Sequence, residues 1–210
     1  MVVIGAKGFA KEILEILFRN GIDEELYFYD DITADKKQLL FGKYKILNSE
    51  SEIKQVFENV GPSFVLGVGN PKLRYSLYKK FCALGGELIS TISDNAVIGN
   101  FDVKIGSGSN ILSGVQISND VVIGMGVILY YNSIITHDVK IGDFAEISPG
   151  AILLGRCSIG RFTHVGAGAV IFPDVKIGEN VTIGAGAVLR NNVPSDCIAV
   201  GIPAKVIKLK

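Results

Sequence analysis

Residues 139–165 read VKIGDF-AEISPG-AILLGR-CSIGRF-THV. Written in sixes, the third place always holds an aliphatic residue: Ile141, Ile147, Leu153, Ile159 and Val165. The first place holds a small or β-branched one: Val139, Ala145, Ala151, Cys157 and Thr163. The phase continues in both directions. Aliphatic residues stand at Ile105, Ile111, Ile117, Ile123, Leu129 and Ile135 before this stretch, and at Ile171, Ile177, Ile183 and Leu189 after it, with no failure. Residues i and i+2 of a strand share a face. Each hexapeptide is therefore a short strand with two inward residues, followed by a corner.

Three such strands and corners close a triangular coil of 18 residues, and stacked coils bury a continuous core that no single repeat could bury alone. Fifteen repeats make about five coils, a prism roughly 24 Å tall at the ~4.8 Å spacing of parallel strands. An ordinary sandwich of short strands would not hold a six-residue phase so long. The chain has 25 glycines and no tryptophan. Many of the glycines directly follow the aliphatic residue (Gly106, Gly124, Gly142, Gly160, Gly178), where a tight turn with little steric room is expected.

Composition narrows the function. Lys and Arg total 21 against 21 Asp and Glu, which lacks the basic excess a nucleic-acid binder needs. No apolar run reaches membrane-span length, and the opening MVVIGAKGFAKE lacks the apolar run of a secretory signal. Cys82, Cys157 and Cys197 are odd in number and share no metal-like or disulfide-like spacing, which suits a reducing cytoplasm. Two histidines and no cysteine–histidine cluster offer no metal site.

Residues 1–88 carry a different pattern. Short apolar runs at Val2–Ile4, Leu26–Tyr29 and Phe64–Val68 alternate with helical patterns through Ile13–Leu17 and over Lys72–Leu84. That alternation predicts a small Rossmann-like α/β domain, followed by the prism over 89–210. The turn Gly5-Ala6-Lys7-Gly8 lies between strand and helix, where backbone N–H groups can hold a phosphate. Asp30 and Asp31 end the next strand, where carboxylates can accept hydrogen bonds from ribose or base. The fingerprint is only Gly-x-x-Gly, and close packing of helix on strand explains those glycines as well.

The N-terminal GAKGFAKE, the YDD after the second strand, the ITHDVKIGDF segment and the closing VGIPAKVIK together resemble the hexapeptide acyltransferases. The likeness is closer to the bacterial sialic-acid and nucleotide-amino-sugar acetyltransferases and spans essentially the whole chain. It implies a left-handed coil, a homotrimer with active sites between subunits, and acetyl-CoA as co-substrate. It implies a substrate site for the nucleotide of a sugar at Lys7, Gly8, Phe9, Asp30 and Asp31, with Gly69 and Asn70 beside them. Many relatives carry histidine where Phe9 stands.

The resemblance also assigns the chemistry. His137 takes the position of the family's catalytic base and Asp138 that of the neighbouring acid. Acyl transfer to an amine needs a proton acceptor as the nucleophile attacks, a task suited to histidine. Gly155, Ala167 and Ala185 match positions where backbone groups contact the pantetheine arm, and Pro203 and Lys205 match the loop near the adenine. Two departures stand out. Relatives often carry a second histidine nine residues after the first, where this chain has Glu146. His164 lies 18 residues beyond Glu146, so stacked coils put the two side chains on one face ~5 Å apart, as a pair near the thioester or as an ordinary surface ion pair. Tyr130-Tyr131 stands where relatives often have asparagine and threonine beside the acceptor. The expected activity is acetyl-CoA-dependent N-acetylation of the 4-amino group of a nucleotide-linked amino-dideoxy sugar in surface-glycan biosynthesis. The alternatives are an O-acetyltransferase acting on a sugar or sialic acid, and a non-catalytic β-helix that binds or scaffolds.

Overall fold

The structure, a computed structural model, describes residues 1–32 and 38–209, with side chains to 207. The chain divides into two compact units, Met1–Thr91 and Ile92–Lys210.

The first unit contains β1 (Val2–Ile4), α1 (Gly8–Arg19), β2 (Tyr27–Tyr29), β3 (Leu39–Leu40), β4 (Tyr44–Leu47), α2 (Glu50–Asn59), β5 (Ser63–Leu66), α3 (Pro71–Ala83) and β6 (Glu87–Leu88). The sheet order is β3-β4-β2-β1-β5-β6, parallel throughout except for the β3–β4 hairpin. β1 is central and fully buried, as its unbroken Val-Val-Ile run requires of a strand covered on both faces. The sequence patterns anticipate α1, α3, β1, β2 and β5 but not β3, β4, α2 or β6. For α2 a signal is present. Ser49 caps it by accepting the Glu52 N–H, while the Glu52 carboxylate takes the Asn48 N–H at 2.9 Å. Ser-x-x-Glu is a capping-box signature.

The second unit is a left-handed parallel β-helix. Fifteen two-residue strands from Lys104–Ile105 to Val188–Leu189 each end on an aliphatic residue of the six-residue series. Partners in each of three sheets are 18 residues apart, as in Ile123↔Ile141 and Ile141↔Ile159. The inward pair from every hexapeptide forms one buried core running along the axis. Two further strands, Thr91–Ile92 and Val97–Ile98, lie upstream of the sixfold series. They escape it because Ile98 and Ile105 are seven residues apart, and Ile98 pairs with Ile117 across that longer corner. A hairpin of Cys197–Gly201 and Ala204–Leu209 closes the far end.

The corners divide two demands between two positions. The residue with left-handed backbone is the position three after the aliphatic residue. There Asp120, Asn132, Asp138, Phe144, Arg156, Phe162, Asp174 and Asn180 all have φ between 53° and 63°. The glycine directly after the aliphatic residue has the little steric room expected of it. A Cβ on Gly160 would lie 2.4 Å from the backbone of Gly178 in the next coil.

Candidate functional site

In the first unit, the chain leaves β1, β2 and β5 on the same side of the sheet, and a cavity of about 340 Å³ opens there. Its position is the switch point of a parallel sheet, where successive connections run to opposite faces and a crevice opens beyond the strand ends. Lys7, Gly8 and Phe9 line it from the start of α1, Asp30 and Asp31 from the end of β2, and Gly69 from the loop after β5. These are the expected substrate residues with one exception. Asn70 is not in the lining; its Oδ1 accepts the Leu73 N–H at 3.0 Å and caps α3. The two carboxylates are held in place. Asp30 Oδ1 accepts the Ile32 N–H at 3.1 Å. Asp31 Oδ2 accepts the Tyr29 hydroxyl at 2.8 Å and lies 3.5 Å from Lys80 Nζ. Burial, and then the hydrogen bond to Asp31, push the Tyr29 phenol up to about 12. Tyr29, Leu73 and Leu77 complete the wall. No motif marks these three in the sequence, although all lie on anticipated elements.

In the second unit, His137 and Asp138 are exposed at one edge of the prism. Neighbours in a strand point to opposite faces, so adjacent residues seldom pair. Here the left-handed turn at Asp138, φ 61°, brings its carboxylate to 2.6 Å from His137 Nδ1. A carboxylate only accepts, so Nδ1 carries the hydrogen, and in the neutral ring Nε2 is the nitrogen left to accept. Gly155 is one coil on, at the same edge and buried, with the His137 ring against it.

Glu146 and His164 pair directly in adjacent strands. His164 Nε2 is 3.7 Å from Glu146 Oε1 but closer, 2.8 Å, to the Ser148 hydroxyl. Ser148 was not anticipated; it follows Glu146 by two and so shares its outward face. This group belongs to the sheet across the prism from the His137 edge, which lies between the other two sheets. Within one chain the two groups are therefore not brought together. Ala167 and Ala185, linked through the Gly186 N–H to Ala167 C=O bond at 2.8 Å, are exposed at a further edge. Pro203 lies at the exposed turn of the closing hairpin, and Lys205 pairs there with Val200. Tyr130 is half-buried, its ring 6.4 Å from that of Tyr131. Among the described residues no group of three His, Cys, Asp or Glu could hold a metal ion, and no helix is long and apolar enough to cross a membrane.

Comparison with known proteins gives a consistent picture. Residues 1–81 match the PglD N-terminal domain. Residues 138–173 and 156–191 match the bacterial transferase hexapeptide (six repeats), and residues 102–131 match the hexapeptide repeat of succinyl-transferase. The fold superposes on the acetyltransferase domain of PglB from Neisseria gonorrhoeae with a TM-score of 0.87 and 30% identity, covering 98% of both chains. It also superposes on perosamine N-acetyltransferase from Caulobacter crescentus, as a histidine-to-asparagine mutant in complex with CoA and GDP-perosamine. There the TM-score is 0.91 and the identity 28%, over 99% of this chain and 96% of that one. No curated protein sequence matches the chain.

Proposed function

The chain belongs to the hexapeptide-repeat sugar acetyltransferase family, and from that membership we propose that it transfers an acetyl group from acetyl-CoA to the 4-amino group of a nucleotide-linked amino-dideoxy sugar. The observation that carries the proposal is the pair His137–Asp138, joined at 2.6 Å on an exposed edge, in a chain that also has a nucleotide-sized cavity at a sheet switch point.

The neutral amine of the sugar attacks the thioester carbonyl. The N–C bond forms as His137 Nε2 accepts the proton from that nitrogen, and the Asp138 carboxylate holds Nδ1–H and keeps the ring oriented. The C–S bond breaks as coenzyme A leaves as a thiolate, which takes up the proton. Lys7, Gly8, Phe9, Asp30, Asp31 and Gly69 would hold the nucleotide; Asn70 would act only through the cap of α3. Gly155, Ala167, Ala185, Pro203 and Lys205 would border the donor. Tyr130 would border the sugar, and Glu146 with His164 would meet the thioester end.

That assignment asks residues on different edges to share one site, which a neighbouring prism can satisfy. A homotrimer is supported by the outward residues of one sheet, Val97, Gln116, Ile134, Ile152, Val170 and Val188, which are aliphatic without a break from Ile134 to Val188. The adjacent sheet instead presents Lys104, Val122, Lys140, Ser158 and Lys176, a lysine on every second strand. We place the reaction in the cytoplasm and in the building of surface glycans.

The test is a steady-state assay of coenzyme A release with acetyl-CoA and a panel of GDP-, UDP- and dTDP-linked 4-amino sugars. Turnover of at least one is expected. Inactivity on the whole panel with turnover of sialic acid or a sugar hydroxyl would reject N-acetylation, and no release with any acceptor would reject an enzyme.

A further inference from the structure

At the His137 edge the corner residue repeats every 18 positions as Phe101, Asn119, His137, Gly155 and Pro173. Backbone bonds tie these into one ladder: Asp120 N–H to Phe101 C=O at 3.0 Å, Asp138 N–H to Asn119 C=O at 3.2 Å, Arg156 N–H to His137 C=O at 3.1 Å, and Asp174 N–H to Gly155 C=O at 3.1 Å. The coil thus accepts a phenylalanine, an asparagine or a proline at this place. Glycine is not a requirement of the fold here. Nor is it a requirement of the backbone, because Gly155 is not among the glycines with positive φ. Gly150 shows the contrast: its φ is +67°, and a Cβ there would meet nothing within 4 Å.

What Gly155 lacks is room. A Cβ on it would lie 2.6 Å from Cε1, 2.7 Å from Nε2 and 3.3 Å from Nδ1 of the His137 ring. These three nearest atoms all belong to the imidazole, so the tightest conflict is with the ring. The ring cannot swing clear freely, because its Nδ1 is held 2.6 Å from Asp138 Oδ2. The following residue is fixed as well: Arg156 Nε and Nη2 donate to the two Asp174 carboxylate oxygens at 2.7 and 2.9 Å.

We infer that Gly155 is a positioning residue for the base, acting through the side chain it lacks: its bare Cα is the seat on which the His137 ring rests with Nε2 directed to the reacting amine. This rests on His137 being the base and differs from a backbone contact to the pantetheine arm, which a methyl group would disturb through the donor rather than through the imidazole.

A four-protein cycle separates the two. Wild type, Gly155→Ala, His137→Ala and the double variant are compared for kcat, the KM for acetyl-CoA, and the melting temperature. Gly155→Ala is expected to lower kcat by about 10²-fold, the scale of an ångström-size misplacement of a catalytic group, with the KM for acetyl-CoA unchanged and the melting temperature reduced. In the His137→Ala background the same substitution is expected to change neither quantity, since the atoms it meets are gone. A raised KM for acetyl-CoA with kcat intact would overturn the inference, as would equal losses in both backgrounds. A His137→Ala protein as active as wild type would instead overturn the base assignment. The melting-temperature cycle reads the ring–glycine coupling in either case.

Discussion

Asp138 combines two roles at a single position. As a short polar residue it tolerates the left-handed corner at φ 61°, and the same turn delivers its carboxylate to His137. If His137 is the base, His137→Ala lowers kcat by about 10²–10⁴-fold. Asp138→Asn keeps the corner but replaces the charged, acceptor-only carboxylate that orients the ring with a neutral amide that can also donate; it lowers kcat by less and leaves the KM for the nucleotide sugar unchanged. Steady-state kinetics of the two variants check both outcomes. In the cavity of the first unit, Tyr29 offers a spectroscopic prediction. Its phenol is raised from 10.0 to about 12, so the folded state favours the neutral form. The stability it contributes is complete below pH 10 and is lost as pH rises toward 12. Ultraviolet titration of wild type against Tyr29→Phe should show that the missing tyrosinate signal is one that appears near pH 12.

At the scale of the element, a hexapeptide tolerates a polar inward residue only where the next coil satisfies it. Thr163 fills such a place: its hydroxyl donates to the Gly178 carbonyl at 2.8 Å and accepts the Val181 N–H at 3.0 Å. Thr163→Val keeps the shape and strands both groups, at a cost of about 1–3 kcal/mol. The Ser133 hydroxyl is buried with no hydrogen-bond partner among the described residues. Ser133→Ala should therefore raise stability by about 1 kcal/mol or leave it unchanged. Denaturant melts of the two variants, which start from the same inward position of the repeat, should show a loss for Thr163→Val and none for Ser133→Ala. The hexapeptide pattern treats both residues alike, since periodicity records which face a residue takes and not what it meets there.

For the whole molecule, the apolar sheet face predicts assembly. Ile152→Glu with Val170→Glu, both on that face, should shift sedimentation from three chains to one, whereas Lys140→Glu with Lys176→Glu on the lysine-bearing sheet should not. A monomeric wild type would overturn the prediction. The sequence by itself determined the prism, because a six-residue alternation of inward and outward residues depends only on strand geometry and corner length, both local. It also determined the βα elements around Gly5–Gly8 and Asp30–Asp31, and it drew His137 and Asp138 out through the motif they share with their relatives. It did not reveal the strands before Ile105, where one extra residue in a corner breaks the phase, nor α2, whose local signal is no more than the capping box at Ser49 and Glu52. Only the tertiary structure decided which distant residues meet: Ser148 with His164, Lys80 with Asp31, and Gly155 beneath the His137 ring. Those meetings depend on which coil or strand is stacked on which and how closely, a distance no local pattern encodes.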